Sequence, residues 1–323
     1  KFKIMVVSFG LLIVGFVVLI LGADWLVSGA SGLAKRLNVP DLVIGLTVVA
    51  FGTSAPELMV NLMAVINGVS EIALTNILGS NTINTFIILG ISALIYPIKS
   101  QKSSRKYEIP WSVFAGLIIL VMGTECFGFC GGEAIISRLD GVVLLLIFSL
   151  FMYYTLKMAK NNTENQEEGF LPMKIWKAVL LIAVGLVALV VGGKVIVANA
   201  VSIAQAFGVS QAVIGVTVVA LGTSLPELAT SAIAAFKKNP DLAIGNVIGS
   251  NIFNVFFVLG ISAVIRPLPS YSNLWIDASL AALGSLLLLL FVSTNRHKEL
   301  KRWQGAFFLV CYGVYLIWLL TSL

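Results

Sequence analysis

The sequence has 323 residues, of which 59% are hydrophobic and 11% are charged, and its mean hydropathy is +1.01. A water-soluble domain carries far more charge, so this composition indicates a helical membrane protein whose main partner is the lipid bilayer. The net charge of +6 does not predict a nucleic-acid partner, because no basic stripe with interleaved aromatic residues is present. No obligate protein partner is evident from the sequence.

Ten apolar runs follow one another along the chain, and each is near the roughly 20 residues that cross about 30 Å of hydrocarbon. They cover residues 4–26, 42–66, 71–95, 110–128, 139–158, 175–198, 211–235, 241–265, 274–294 and 304–322. With the first residue outside, the outer side receives only five of the 21 lysines and arginines: Lys1, Lys3, Arg138, Lys194 and Arg266. The positive-inside rule therefore predicts a multi-pass protein of the cell (plasma) membrane with both termini outside.

The second and third runs recur as the seventh and eighth. Residues 43–57 match residues 213–227 at twelve of fifteen positions, and residues 71–97 match residues 241–267 at 14 of 27 positions. Both matches have the same offset of 170 residues. Each half of the chain then has five spans. Because five is odd, the second half must enter the membrane in the opposite sense.

These repeats predict the fold class. We expect an all-α polytopic membrane protein whose ten transmembrane helices form two inverted five-helix repeats, with broken helices at an ion site. A polar stretch rich in Asn, Glu and Gln separates the halves and is typical of a linker. The predicted units are a first repeat at 1–158, a cytoplasmic linker at 159–173 and an inverted second repeat at 174–323.

Each duplicated passage carries Gly-Thr-Ser-x-Pro-Glu in the middle of a span. Because proline lacks an N–H and clashes with the preceding turn, the helix should break just before Pro56 and Pro226. The helix that restarts there has Glu57 or Glu227 in its first turn, where the helix dipole favours a carboxylate. A carboxylate inside the membrane is costly and indicates a functional site.

The same hexapeptide also has a purely structural interpretation. Ser54-x-x-Glu57 and Ser224-x-x-Glu227 fit the capping box, a pattern that only starts a helix. A structural cap in mid-membrane would not require a charge, so the sequence favours a ligand role for both glutamates.

The third and eighth spans add Gly-Ser-Asn-x-x-Asn, in which the serine and the second asparagine lie four residues apart on one helix face. Such side chains can instead serve helix packing. With the carbonyls released at the breaks, the candidate ligands are Glu57, Glu227, Ala50, Thr53, Ser54, Ser80, Asn84, Ala220, Thr223, Ser224, Ser250 and Asn254. All of them offer oxygen, which suits Ca²⁺, with its 6–8 oxygens at about 2.3–2.6 Å, better than Zn²⁺ or Mg²⁺. Na⁺ can use the same atoms in smaller groups.

Other functional classes have weaker support. No nucleophile–base pair and no cofactor motif is present, so neither an enzyme nor a bound cofactor is expected. A cation channel also uses acidic rings and carbonyls, but two helix breaks in inverted halves favour alternating access. A scaffolding membrane protein would not need carboxylates in mid-membrane. Cys126 and Cys130 are four residues apart, and the sequence leaves open whether they form a disulfide.

At these residues the chain resembles the cation/calcium exchanger superfamily, and within it the prokaryotic sodium/calcium exchangers. The two Gly-Thr-Ser-x-Pro-Glu and two Gly-Ser-Asn-x-x-Asn segments are similar to the alpha repeats of that family. The resemblance covers nearly the whole chain. It implies an antiporter that exchanges Ca²⁺ for Na⁺, with ions held by spans two, three, seven and eight. The first and sixth spans would slide across this core to alternate access.

The resemblance also implies a role for each matching residue. Glu57 and Glu227 would be ligands shared by Ca²⁺ and Na⁺, together with the backbone carbonyls of Thr53 and Thr223. Ala50 and Ser80 would help to form an inner sodium site, and Ala220 and Ser250 an outer one. Ser54 and Ser224 would support these ligands from nearby. Asn84 and Asn254 would line the middle of the site.

One departure from the family pattern concerns the coupling ion. Many sodium/calcium and potassium-dependent exchangers have an aspartate where this chain has Asn254, whereas other prokaryotic members have asparagine in both repeats. The site here then holds two formal negative charges instead of three. This departure argues against three-for-one stoichiometry and against potassium cotransport. Exchange of H⁺ for Ca²⁺ is the runner-up, and potassium-dependent Na⁺/Ca²⁺ exchange is the other alternative.

Overall fold

The computed structural model describes residues 2–68, 71–123, 135–161, 173–207, 220–271, 273–294 and 296–322. Within these ranges, eight helices are long and apolar enough to cross a membrane, and one bent pair of helices makes a ninth span. The predicted seventh span, 211–235, is described only from residue 220, where it includes the shorter apolar helix Leu225–Phe236. The helical elements therefore follow the predicted order of spans.

The described helices are numbered here in chain order. They are α1 Phe2–Leu37, α2 Asp41–Thr53, α3 Ala55–Ile66, α4 Ile72–Ile95, α5 Ser104–Gly123, α6 Arg138–Asn161, α7 Ile175–Ala206, α8 Ala220–Thr223, α9 Leu225–Phe236, α10 Pro240–Ile265, α11 Leu274–Thr294 and α12 Arg302–Ser322. Several contain π-helical stretches, at Gly45–Val49, Ile83–Ile88, Ser104–Glu108 and Phe253–Leu259.

The centre of the molecule is formed by α4 and α10. About four-fifths of the most apolar stretch of each helix is buried, 78% in both cases, against 33% for α1 and α7. The outer helices α1 and α7 pack on each other through glycines. A Cβ on Gly22 would lie 2.9 Å from the carbonyl oxygen of Gly185, and a Cβ on Gly185 would lie 2.8 Å from that of Gly22. Small residues thus let the first and sixth spans approach at backbone distance.

Both predicted helix breaks are present. In the first repeat α2 ends at Thr53 and α3 begins at Ala55, with an angle of 44° between them. In the second repeat α8 ends at Thr223 and α9 begins at Leu225. Each break therefore falls on the serine two residues before the proline, whose missing N–H cannot continue the preceding helix.

Two short antiparallel strand pairs tie the loops together. They are β1 Ile98–Lys99 with β4 Glu299–Leu300, and β2 Ile135–Ile136 with β3 Leu268–Pro269. The first pair joins two loops that charge places on the inner side, and the second joins two loops placed on the outer side. The loops thus meet in the combinations that ten alternating spans require. These two-residue strands were not predicted from sequence, because they lie outside the apolar runs.

Several described helices are longer than the apolar runs that predicted them. The first span continues beyond residue 26 to Leu37 and the sixth beyond 198 to Ala206. The extra turns of α1 carry buried small residues, including Ala30, Ser31 and Ala34, which packing keeps helical despite their low hydropathy. The fourth span begins at Ser104 instead of 110. The predicted end of this span at 128 lies outside the described residues. The same is true of Cys126, of Cys130 and of most of the linker at 159–173.

Candidate ion-binding site

The two glutamates occupy equivalent places in the two repeats. Glu57 lies in the first turn of α3 and Glu227 in the first turn of α9, and both side chains are fully buried. Each follows directly on a proline at the start of its helix. The sequence places them there because the Pro-Glu pair can begin a helix but cannot continue one.

Serine hydroxyls link each glutamate to the other repeat. Ser54 Oγ donates to Glu227 Oε1 at 3.0 Å, and Ser224 Oγ donates to Glu57 Oε1 at 3.4 Å. Ser80 Oγ also donates to Glu57 Oε1, at 3.4 Å. Neither Ser54 nor Ser224 makes a side-chain cap hydrogen bond to its own helix. The capping-box interpretation is therefore wrong, because both hydroxyls are used across the repeat interface.

The second asparagines of the two Gly-Ser-Asn-x-x-Asn segments make a matching pair of contacts. Asn84 Nδ2 donates to Asn251 Oδ1 at 3.0 Å, and Asn254 Nδ2 donates to Asn81 Oδ1 at 3.2 Å. Asn84 and Asn254 each lie at the second residue of a π-helical stretch. Such stretches occur often at functional sites, because the wider turn displaces side chains from the regular helix face.

Five oxygens of these residues are buried and have no hydrogen-bond partner. They are Glu57 Oε2, Glu227 Oε2, Asn84 Oδ1, Asn254 Oδ1 and Ser250 Oγ. Leaving a buried polar atom unpaired costs about 1–3 kcal/mol. Because all five are oxygens on two pseudo-symmetric sets of residues, a cation bound among them would satisfy atoms that the protein leaves unpaired.

No positive side chain balances the two carboxylates within the described part of the chain. The salt bridge found there joins Lys237 Nζ and Asp24 Oδ1 at 2.7 Å, on partly exposed side chains. An uncompensated buried charge is strongly unfavourable. Glu57 and Glu227 together supply two formal charges, which makes the arrangement suited to a divalent ion or to two monovalent ions.

The remaining predicted ligands differ in how they are used. The carbonyl of Ala50 is not released at the break as predicted, because it accepts the Ser54 N–H at 3.0 Å. Thr53 Oγ1 is a second donor within hydrogen-bond distance of this carbonyl oxygen, at 3.4 Å. Thr53 is fully buried and its Oγ1 donates to Asn246 Oδ1 at 3.1 Å. Thr223 is partly exposed at the end of α8, and the side chain of Ala220 lies outside the described residues.

Several asparagines near the site were missed as functional candidates. Asn246 Nδ2 donates to the Glu227 carbonyl at 3.3 Å and to Ser231 Oγ at 2.9 Å. In the first repeat Asn76 Nδ2 donates to Asn61 Oδ1 at 2.7 Å. The available signal was the duplication, since Asn76 and Asn246 occupy equivalent positions at the offset of 170 residues.

Inverted halves, paired helix breaks and unpaired buried oxygens define a secondary ion transporter. The chain belongs to the sodium/calcium exchanger protein family, whose model matches residues 7–157 and 177–321. It is thus a transporter and not an enzyme, and it exchanges Ca²⁺ with another cation. The predicted fold class, two inverted repeats of membrane-spanning helices, is confirmed by this membership and by the structural likeness below.

Three comparisons illustrate the likeness. Sodium/calcium exchanger MaX1 of Methanosarcina acetivorans is 34% identical over 89% of this chain and 91% of its own length. Ca(2+)/H(+) antiporter ChaA of Bacillus subtilis is 26% identical over 84% of this chain and 81% of its own. A solved structure of the sodium-calcium exchanger NCX_Mj, soaked with Na⁺ and Sr²⁺, superposes with a TM-score of 0.82 at 33% identity, covering 97% of this chain and 99% of that one.

Proposed function

We propose that this protein exchanges Ca²⁺ for Na⁺ across the cell membrane by alternating access and normally extrudes Ca²⁺. The observation that carries the proposal is the set of five buried, unpaired oxygens contributed by both repeats. Oxygen is the ligand that both ions prefer, and two carboxylates match the charge of one Ca²⁺. The 34% identity to a protein named sodium/calcium exchanger supports Na⁺ as the coupling ion.

The donor set satisfies the coordination demand of Ca²⁺. Bidentate binding by Glu57 and Glu227 and one carbonyl each from Thr53 and Thr223 would give the minimum of about six oxygens. The unpaired amide oxygens of Asn84 and Asn254 can extend the shell.

Na⁺ would use smaller groups of the same atoms. Ala50 with Ser80 on one side and Ala220 with Ser250 on the other form the two pairs, and Ser54 and Ser224 orient the carboxylates.

Proton coupling is the second candidate function. The relation to an antiporter named for Ca²⁺ and H⁺ favours it, because a buried carboxylate pair can be neutralised by protons as well as by Na⁺. Potassium-dependent exchange is a further form of the same activity. Each alternative predicts a different ion gradient as the driving force.

Transport by purified protein in proteoliposomes separates these candidates. Vesicles loaded with Na⁺ and diluted into Na⁺-free buffer should take up Ca²⁺, and vesicles without the protein should not. Collapsing the pH gradient with an ionophore should leave this uptake unchanged, and so should omission of K⁺. Ca²⁺ uptake driven by a pH gradient alone would identify H⁺ instead of Na⁺ as the coupling ion. Downhill Ca²⁺ flux of the same size without any counter-ion would identify a channel.

The proposal places the protein in the cell membrane with both termini outside. Its support is the excess of Lys and Arg on the loops assigned to the inner side and the strand pairs, which join loops of the same assigned side. Under this assignment residues 1–158 and 174–323 act as the two repeats, with 159–173 as a cytoplasmic linker.

A further inference from the structure

We propose that Asn81 and Asn251 are positioning residues that aim the amide oxygens of Asn254 and Asn84 at the transported cation. This inference rests on the proposed function, because it assigns Asn84 and Asn254 to the ion site. Asn81 and Asn251 are the first asparagines of the two Gly-Ser-Asn-x-x-Asn segments. They contribute no unpaired oxygen themselves, and they act through their neighbours.

The orientation of an asparagine amide decides whether it attracts or repels a cation. Its oxygen is an acceptor and its NH₂ group is a double donor, on opposite sides of the same carbon. Asn84 Nδ2 is held by Asn251 Oδ1 at 3.0 Å, and Asn84 Oδ1 is then left buried without a partner. Rotation of the amide by half a turn would put the NH₂ group where the cation binds.

The ligand amide of the second repeat is held in the same way, by an asparagine of the first repeat. Asn254 Nδ2 is held by Asn81 Oδ1 at 3.2 Å, and Asn254 Oδ1 is again buried and unpaired. Each ligand amide is thus oriented by an asparagine of the opposite repeat. The docking of the two repeats therefore sets the orientation of both amides, which links ion binding to the packing of α4 against α10.

The positioning amides are themselves fixed by their NH₂ groups. Asn251 Nδ2 donates to Thr85 Oγ1 at 3.0 Å, whereas Asn81 Nδ2 donates to the backbone carbonyl of Asn251 at 3.2 Å. The two anchors differ because the residue equivalent to Thr85 is Val255, which has no hydroxyl. In both cases the donor anchor leaves the side-chain oxygen as the acceptor for the ligand amide.

A double-mutant cycle tests this pairing. We expect Asn251→Ala to weaken the apparent Ca²⁺ affinity about tenfold, the effect of losing one oriented buried hydrogen bond. Asn251→Ala keeps the backbone carbonyl to which Asn81 donates, so the other pair is undisturbed. In an Asn84→Ala background Asn251→Ala should change the affinity little, because the amide that it orients is already absent. In an Asn254→Ala background it should again cost about tenfold, since the Asn84–Asn251 hydrogen bond is still present in that background.

The readouts are equilibrium binding of radioactive Ca²⁺ to purified protein and Na⁺-driven uptake into vesicles. Ser112→Ala, which removes a buried interhelical hydrogen bond to Ser285 at 2.9 Å, controls for general loss of packing and should leave the affinity at the wild-type value. If Asn251→Ala does not fold, the equivalent double-mutant cycle of Asn81→Ala with Asn254→Ala tests the same role in the other pair.

Pair-specific coupling supports the positioning role. Wild-type affinity in Asn251→Ala, or equal losses in both backgrounds, overturns that role while the exchanger function stands. Absence of Ca²⁺ binding by the wild-type protein overturns the proposed function, and this inference with it.

Discussion

The carboxylates of Glu57 and Glu227 are fully buried, and each accepts a serine hydroxyl from the opposite repeat. We expect Glu57→Gln and Glu227→Gln each to abolish Ca²⁺ transport. One remaining negative charge cannot compensate a dehydrated divalent ion where the dielectric is low. Ca²⁺ uptake into proteoliposomes, normalised to reconstituted protein, measures the effect.

Asp24→Asn is the matched control for these variants, since it also removes one carboxylate from a membrane helix. Asp24 is half-exposed and pairs with Lys237 at 2.7 Å, and such pairs contribute only about 0–1 kcal/mol. The Ca²⁺ transport rate of Asp24→Asn should therefore stay near that of the wild-type protein. Normal exchange by Glu57→Gln would show that the assigned site is wrong.

At single residues, duplication made the ligands visible in the sequence. Two copies of Thr-Ser-x-Pro-Glu in apolar surroundings identify Glu57 and Glu227, because a charge there has no structural purpose. The exchange of hydroxyls between Ser54 and Glu227 could not be predicted. It depends on how the repeats dock, and local spacing instead suggested a cap within one helix. The use of the Ala50 carbonyl by Ser54 was hidden for the same reason, since the backbone around the break is set by packing.

At the level of elements, the strand pairs and the basic loops predict one orientation of the protein in the membrane, with both termini outside, and this orientation can be tested. In a variant with Cys126, Cys130 and Cys311 replaced by serine, single cysteines can be placed at two exposed positions, Lys102 and Asn273. A membrane-impermeant maleimide added to intact cells should label Asn273→Cys but not Lys102→Cys, which should react only after permeabilisation. The reverse pattern would invert the assigned topology, and labelling of both in intact cells would contradict the alternation of spans.

Within the described residues, the order of the helices followed from the sequence better than their ends did. Apolar runs mark the hydrocarbon thickness, so the spans were placed correctly wherever hydropathy alone decides. The last turns of α1 were missed, because the buried small residues there, such as Ala30 and Ala34, are held by packing between helices, which a hydropathy pattern does not contain. The last turns of α7, up to Ala206, were also missed, although none of their residues is buried. The π-helical stretches around Asn84 and Asn254 also have no signature in the apolar period.

For the whole molecule, the balance of charge connects the site to the electrical cost of transport. Glu57 and Glu227 supply two negative charges, and one Ca²⁺ or two Na⁺ would neutralise them. A third Na⁺ would leave one positive charge uncompensated at low dielectric, which is unfavourable. We therefore expect exchange that is less electrogenic than in the aspartate-bearing members that the chain resembles.

Asn254→Asp tests this balance by adding a third carboxylate. The new side chain would face Asn81 Oδ1, which accepts the Asn254 NH₂ group at 3.2 Å. A carboxylate there meets an acceptor instead of a donor, so it binds either a third positive charge or a proton. We expect Asn254→Asp to raise the voltage dependence of Ca²⁺ flux or its sensitivity to pH, and Asn84→Asp, which would face Asn251 Oδ1, is the matched variant in the other repeat.

The measurement is Ca²⁺ flux into proteoliposomes whose voltage is clamped with valinomycin, with Na⁺, K⁺ and H⁺ gradients imposed one at a time. Wild-type flux driven by Na⁺ should change little with voltage, and the flux of Asn254→Asp should change more with voltage or with pH. Strong voltage dependence of the wild type under Na⁺ alone would reject the charge-balance argument and leave the exchanger assignment standing. In that case the carbonyl dipoles at the two helix breaks must stabilise the extra charge, because no third carboxylate is available among the candidate ligands.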